Sequence, residues 1–422
     1  MKQNEILDQM IEEFRLRGFT PGEATVRREL KVNRETHYFL SVGWYPEGTA
    51  PDEEELNPDG TIFIEYHLNS GKYTSFLIVG GCDLRNNPAA LQAAGKEEAI
   101  RWAERKTGLT YKEHFILSKE AADGEEIEYK FTKTYDGTPI FMQGLFSLTL
   151  KKDGTIIGFQ LEPGYPDKTL FSKAAKDLQW YENTLLNQLV LLPYPDAKQK
   201  AYVQVYAVEE VFLNENGTAV LPFEFSESRM LGVYPEKILT WNKTESAITP
   251  FVNKRALIER DLPEWEDALR NKPHPDAAPI TDGEEESVIQ AAAGHLQKYR
   301  PDESGKWILR NICRDHSRLT AHLYPVNPSA LFEKLVYLLE GTEIVHEIDT
   351  SMMNEALKEF ASPAPVAVSK KEAAENLRPH VLTKPYWVWD SKTGLYQKLW
   401  MLDSKHLVLA ASGEIISEND LL

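Results

Sequence analysis

The stretch that decides the fold is Phe146-Ser-Leu-Thr-Leu-Lys-Lys-Asp153-Gly154-Thr-Ile-Ile157. Phe146, Leu148 and Leu150 alternate with Ser147, Thr149 and Lys151, the period of a strand with one buried and one wet face. Asp153-Gly154 then supplies a tight turn, because glycine takes positive φ without steric cost. The chain re-enters an apolar strand at Ile156. Four similar turns stand elsewhere: Asp59-Gly60-Thr61-Ile62, Asn216-Gly217-Thr218-Ala219, Glu340-Gly341-Thr342-Glu343-Ile344 and Ser412-Gly413-Glu414-Ile415. One such turn marks a hairpin; five suggest a repeated unit.

Upstream of three of these turns stands a helix. Around 95–103, Ala99, Trp102 and Ala103 share one face at i, i+3, i+4 spacing. Asp282 precedes a second helix striped by Val288, Ala292 and Leu296. Ser369-Lys-Lys-Glu372 is a capping box opening a third, with Ala373, Ala374 and Leu377 inside. Alternating strands fill the space between: Ile127, Tyr129 and Phe131, then Leu319, Ala321 and Leu323. A helix on the apolar face of an antiparallel sheet satisfies both patterns, so the fold class is α+β. Any α+β protein offers helices, strands and glycine turns. What argues for duplication is that capping, spacing and turn chemistry agree.

Two looser copies have a helix at 4–17 with strands near 37–44, 61–68 and 73–79, and a helix near 169–184 with a strand at 202–208. Pro263, Pro273, Pro275 and Pro279 make 261–283 a linker, and 222–260 reads as irregular. The expected organisation is 1–90, an α+β module; 91–165, a module; 166–222, a half-module completing the N-terminal half; 223–283, irregular segment and linker; 284–350, a module; and 351–422, the C-terminal module.

Bulk properties bound the function. The 422 residues carry 47 basic and 65 acidic side chains, a net charge of −18. That field repels phosphate backbones and anionic lipid, and no long basic run offsets it, so no nucleic-acid partner is expected. No apolar run approaches the roughly 20 residues of a membrane span, so no membrane insertion is expected. The opening Met1–Met10 segment lacks the apolar stretch of a secretion signal. The two cysteines, Cys82 and Cys313, are too distant for a disulfide framework. A reducing, cytoplasmic location is expected.

The run Asp136-Gly-Thr-Pro139-Ile140-Phe, followed by Phe146 to Ile157, resembles the closing strands of a PepSY-type domain. The tail is similar: Val368-Ser-Lys-Lys-Glu-Ala-Ala, Leu399-Trp-Met-Leu, then Leu407-Val-Leu-Ala-Ala-Ser-Gly413-Glu-Ile-Ile. Leu409 stands where that closing motif usually carries an acid. Tandem copies over this length resemble the uncharacterised YcdB/YcdC family of bacilli, across perhaps two-thirds of the chain. The resemblance implies tandem PepSY-like modules, each a helix packed on an antiparallel sheet. It implies a protein-binding or regulatory role, such as restraining a peptidase, and transfers no catalytic residue.

The chemistry-bearing residues add little. His346-Glu347 lacks the second histidine of a zinc helix, since Thr350 occupies that position. Ser304-Gly305-Lys306-Trp307 lacks the glycine and hydroxyl of a phosphate loop. No Gly-x-Ser-x-Gly elbow occurs. Cys313 is followed by Asp315 and His316, and a Cys–His pair can activate a thiolate. A buried structural cysteine in a strand is the favoured reading. No catalytic residue, cofactor or metal is expected. The aromatic run Tyr386-Trp387-Val388-Trp389 places Trp387 and Trp389 on one strand face, with Trp400 on a following strand. Buried, that face stabilises a sheet; exposed, Tyr386, Trp387, Trp389 and Trp400 form a protein-binding surface. The leading expectation is a non-enzymatic binding or regulatory protein. The alternative is a hydrolase with an acidic site in a cleft between the two halves, containing a carboxylate whose pKa burial has raised.

Overall fold

The five turn glycines all take positive φ: Gly60 87°, Gly154 86°, Gly217 70°, Gly341 60° and Gly413 79°. The computed structural model describes residues 2–49, 57–80, 92–93, 95–141, 145–173, 177–179, 182–196, 198–222, 231–242, 250–254, 262–327, 334–351 and 359–421. Cys82 lies outside them.

Helix α1 (Gln3–Glu13) leads β1 (Phe19–Pro21), β2 (Thr25–Leu30), β3 (Thr36–Pro46), β4 (Ile62–His67) and β5 (Lys72–Ile78). Helix α2 (Lys96–Thr107) leads β6 (Phe115–Asp123), β7 (Glu126–Tyr135), β8 (Thr138–Pro139), β9 (Leu145–Lys151) and β10 (Ile156–Leu161). Strands β2-β3-β4-β5 and β6-β7-β9-β10 are antiparallel meanders. Their last strands pair with each other, Phe159 opposite Phe76, giving one ten-stranded sheet. Ile6 and Met10 of α1 and Ala99, Trp102 and Ala103 of α2 are buried in one apolar core with alternate residues of the strands. Trp102 packs between Phe146 and Phe159, with ring centroids 5.6 and 5.1 Å away. The other face carries the polar residues of the alternation, and the cleft described below opens on it.

Helix α3 (Glu182–Gln188) leads β11 (Leu189–Asp196), β12 (Ala201–Val208), β13 (Val211–Leu213) and β14 (Ala219–Pro222). Strand β15 (Lys237–Leu239) and helix α4 (Trp265–Leu269) follow. Helix α5 (Asp282–Tyr299) leads β16 (Trp307–Asp315), β17 (Arg318–Pro325), β18 (Leu335–Glu340) and β19 (Glu343–Asp349), another meander, with β15 added beside β16. Thr281 caps α5: its Oγ1 accepts from the Glu284 N–H at 3.2 Å. Helix α6 (Lys370–Leu377) leads β20 (Leu382–Asp390), β21 (Leu395–Asp403), β22 (His406–Leu409) and β23 (Ile415–Ser417). Ser369 Oγ caps it through the Glu372 N–H at 3.2 Å.

The α3 and α6 units exchange strands. The sheets run β11-β12-β22-β23 and β14-β13-β21-β20, so each joins the first hairpin of one unit to the last hairpin of the other. Val205 faces Leu409, and Val211 faces Leu402. Connection length explains it. Nine residues (326–334) separate β17 from β18, and fifteen (47–61) separate β3 from β4. Only Glu209-Glu210 separates β12 from β13, and only Ser404-Lys405 separates β21 from β22. Neither pair contains glycine, asparagine or aspartate, and none of the four residues takes positive φ, so the strand runs on into its partner's sheet instead of folding back.

Three expectations need correction. Among the described residues, the helix expected at 169–184 is represented by a 3-10 turn, Lys168–Leu170, and the start of the short α3, while 174–176 and 180–181 lie outside the described residues. Phe171 leaves helical geometry (φ −94°, ψ 131°) and pairs with Tyr396 instead. The segment 222–260 contains β15, and its residues 250–254 lie against β19, where Lys254 N–H donates to Val345 O at 2.9 Å. The described part of the linker is docked on the first unit. Tyr38 Oη donates to Lys272 O at 2.6 Å, and His274 N–H donates to Thr36 Oγ1 at 2.8 Å. The turn at Gly60 also differs from the other four, since it opens β4 whereas each of the others closes a unit's last hairpin.

Candidate functional site

The aromatic strand β20 meets its own chain. Trp387 is 1% exposed and Trp400 is 6% exposed, so neither belongs to an exposed protein-binding surface. The indole Nε1 of Trp387 donates to Tyr135 O at 2.9 Å, and Phe141 N–H donates to Trp387 O at 2.8 Å. Phe171 lies edge-on to Trp387 at 5.2 Å and stacks on Tyr396 at 4.9 Å. Trp400 packs with Val211, Leu213 and Leu402 inside the exchanged sheet. These rings bury apolar area where the ten-stranded sheet meets the α6 unit. Tyr386 and Trp389 are half-buried, and each lines a cleft.

The Tyr386 cleft has a volume of about 500 Å³. Its apolar lining is Phe39, Ile140, Phe141, Leu161 and Tyr386; its charged lining includes Arg27, Glu29, Lys31, Glu65 and Glu162. The two cations pair with the three carboxylates. Arg27 pairs with Glu29 and reaches Glu65 Oε2 at 2.6 Å; Lys31 Nζ reaches Glu29 Oε2 at 2.8 Å and Glu162 Oε1 at 3.1 Å. Arg27 also lies over the Phe39 ring at 4.5 Å. Burial works against the Lys31 charge, but Glu162 and Glu29 outweigh it and hold its pKa above the ordinary value. Arg27, Glu29 and Lys31 are alternate residues, about 7 Å apart along a strand, and therefore share a side.

An adjoining cleft of about 280 Å³ shares Lys31, Glu162 and Pro163 and reaches His37. Beneath it Lys133 is 5% exposed. Its Nζ donates to Gly164 O at 2.6 Å and Glu162 O at 3.2 Å. Burial pushes the Lys133 pKa down to about 8, with the Lys31 charge adding to the push against Glu162. The rings of His37 and His67 lie 4.7 Å apart. Burial, with the charges of His37 and Lys31, pulls His67 down to about 4.

The acidic-hydrolase expectation has a counterpart elsewhere. Glu210 occupies the two-residue link between β12 and β13, and Asp403 ends β21. Burial pushes Glu210 up to about 7, helped by the hydrogen bond its protonated carboxyl donates to Asp403 and by the charges of Asp403 and Glu418. The pair stands where the exchanged sheets cross and lines neither cleft above. His346 lies on strand β19; Glu347 beside it pairs with His295 Nε2 at 2.7 Å and Arg300 Nη2 at 2.7 Å. Among the described residues, no group of three or more His, Cys, Asp or Glu could hold a metal ion. No described helix is long and apolar enough to cross a membrane.

Sequence reading missed the cleft. The alternating charges at 27, 29 and 31 were a local signal, whereas Glu65, Glu162 and Tyr386 reach it only through the tertiary fold. Fold and cleft define the class: an α+β protein of helix-on-antiparallel-sheet units with a cleft at the junction of three of them. No protein-family profile matches the chain, and no curated protein matches it. Among solved structures, the Bacillus megaterium YpeB C-terminal domain is similar to it at 13% identity and a TM-score of 0.25, covering 52% of this chain and 95% of that one. That likeness is too slight to carry an argument, and the fold rests on the chain's own topology.

Proposed function

We propose that the protein is a non-enzymatic binding or regulatory protein of PepSY type, and that its cleft takes an extended segment of another protein. The cleft's combination of apolar lining and alternating, self-paired charges carries this reading. An extended peptide repeats every second residue, and so does the row Arg27, Glu29, Lys31. Each charge is already paired within the chain, so a bound segment is selected by complementary exchange of partners rather than by net attraction. Half-buried Tyr386 supplies apolar area for an anchoring side chain. A peptidase as the partner follows from the resemblance of the closing motifs to PepSY domains alone.

Selection of peptides from a random display library on the full chain tests this. Extended peptides with alternating charge should be enriched, and Arg27→Gln should shift the preferred charge at one position. Failure to enrich any peptide, or an identical selection with Arg27→Gln, removes the reading. The second reading, an acidic hydrolase, is favoured by the raised pKa of Glu210 beside Asp403. It requires hydrolysis that Glu210→Gln abolishes, and activity unchanged by that substitution excludes it.

A further inference from the structure

The sequence pairs Cys313 with His316, three residues on, but the fold gives it a different histidine. His316 and Ser317 form the β16–β17 turn, both with positive φ (49° and 67°), and their N–H groups donate to Asp276. Across the hairpin Cys313 faces Thr320, and Asn311 faces His322. Cys313 Sγ lies 2.8 Å from Thr320 Oγ1 and 3.8 Å from His322 Nε2. Asn311 and Cys313 are two apart on one strand and share a side, as do Thr320 and His322 opposite. The four side chains form one patch on the face of the sheet turned away from α5, whose apolar stripe packs with Leu309, Ile312, Ala321 and Leu323.

Two features distinguish this patch from a structural cysteine site. Cys313 is half-buried rather than sealed. Asn311 is 0% exposed, yet both its side-chain amide atoms lack a hydrogen-bond partner. A buried primary amide left unpaired at both ends is destabilising, and such an orphan needs an explanation. It sits one strand repeat, about 7 Å, from the thiol. It can donate to a carboxylate and accept from an amide or ammonium group. Those are the groups that flank sulfur in cysteine and in peptides built on it.

We propose that Cys313 is a reactive thiol activated by His322, and that it forms a mixed disulfide with small cysteine-derived disulfides, whose polar groups Asn311 receives. The thiol proton passes to His322 Nε2. The Cys313 thiolate attacks one sulfur of the disulfide RS–SR; the S–S bond breaks as the Sγ–S bond forms. The leaving thiolate RS⁻ takes the proton from His322 and departs as RSH. Cys313 is oxidised, the released thiol is the reduced product, and excess RSH reverses the step. Thr320 Oγ1, which donates to Cys313 O at 3.3 Å and lies 2.8 Å from Sγ, can turn its hydroxyl to the thiolate once it forms.

The test uses the full chain carrying Cys82→Ser, so that Cys313 is the sole thiol. The folded protein is incubated with cystine or oxidised glutathione, the adduct is read by mass spectrometry, and its rate of formation is followed against pH. The expected result is stoichiometric modification with an apparent thiol pKa below the ordinary value of about 8.5. His322→Gln should return that pKa to about 8.5 and slow the reaction at pH 7 by roughly tenfold, with unchanged circular dichroism. Asn311→Leu should slow reaction with cystine but not with 2-hydroxyethyl disulfide, which lacks the carboxylate and ammonium. Modification only after urea is added, or an ordinary pH profile unmoved by His322→Gln, would overturn the proposal. The pH profile of the Cys82→Ser chain alone decides the matter if either further variant fails to fold.

Discussion

Replacing Trp387 separates a junction residue from a surface one. Trp387→Ala deletes a fully buried ring, a class of change that costs about 3–5 kcal/mol. It also strips the indole donor from Tyr135 O, and a buried carbonyl left unpaired costs about 1–3 kcal/mol more unless water enters. Against a total stability of about 5–15 kcal/mol, that is enough to uncouple β20 from the segment 138–141. Trp387→Phe keeps most of the ring and should cost about 1–3 kcal/mol, chiefly through the lost hydrogen bond. Urea titration followed by circular dichroism should give a lower midpoint with the slope nearly unchanged. Amide exchange should rise at Phe141, whose N–H bonds to Trp387 O. The double variant with Phe171→Leu should be non-additive by about 0.5–1.5 kcal/mol, the worth of an aromatic pair. A change within about 0.5 kcal/mol for Trp387→Ala, as exposed positions give, would refute its place at the junction.

Three further outcomes are expected. Glu210, with its pKa raised to about 7 from the ordinary carboxyl value of 4.5, binds its proton more tightly when folded. Its contribution to stability is full below the unfolded pKa and is lost as pH rises through about 7; Glu210→Gln should flatten that part of a stability–pH curve, and an unaltered curve would count against the carboxylate pair. Lys133, lowered to about 8, is opposite in sense: the folded protein gains stability as pH rises between about 8 and the unfolded value near 10.4, a rise that denaturation midpoints should show in the native chain and not in Lys133→Met. Inserting a seven-residue Gly/Ser/Asn segment between Glu209 and Glu210 brings that connection to the nine residues found between β17 and β18. Freed of the short link, β13 should fold back on β12, and faster amide exchange in β22 and β23 would report it; native protection there would refute the connection-length argument.

What the sequence disclosed was local. Four of the five glycine turns, the α2 stripe of Ala99, Trp102 and Ala103, and the Ser369 cap depend on neighbours within a few residues, and each stands where it was expected. The strand exchange depends on Val205 meeting Leu409 and Val211 meeting Leu402, contacts no local pattern encodes. Its one trace in the sequence is negative, two links of two residues without glycine, asparagine or aspartate. Trp387 illustrates a second limit. Alternation assigns it to a face, but what covers that face is decided by Tyr135, Ile140 and Phe171, all more than two hundred residues away. The cleft was missed for the same reason. Its charged row was visible at Arg27, Glu29 and Lys31, but Glu162 and Tyr386, which complete it, come from other units.

The exchanged hairpins also set a clock on synthesis. The α1, α2 and α5 units each contain all four strands of their own meander, so each meander is complete once its last strand is made. The α3 unit does not: β12 waits for β22, and β13 waits for β21. About 190 residues are translated between β14 and the end of β23, which at ~5–20 residues per second takes on the order of 10–40 s. Throughout that interval β12 and β13 offer open backbone edges to the cell, and strand edges are what chaperones shield and what neighbouring chains pair with. Slowing translation beyond Pro222 should therefore lower the yield of soluble protein, whereas slowing it before α3 should not.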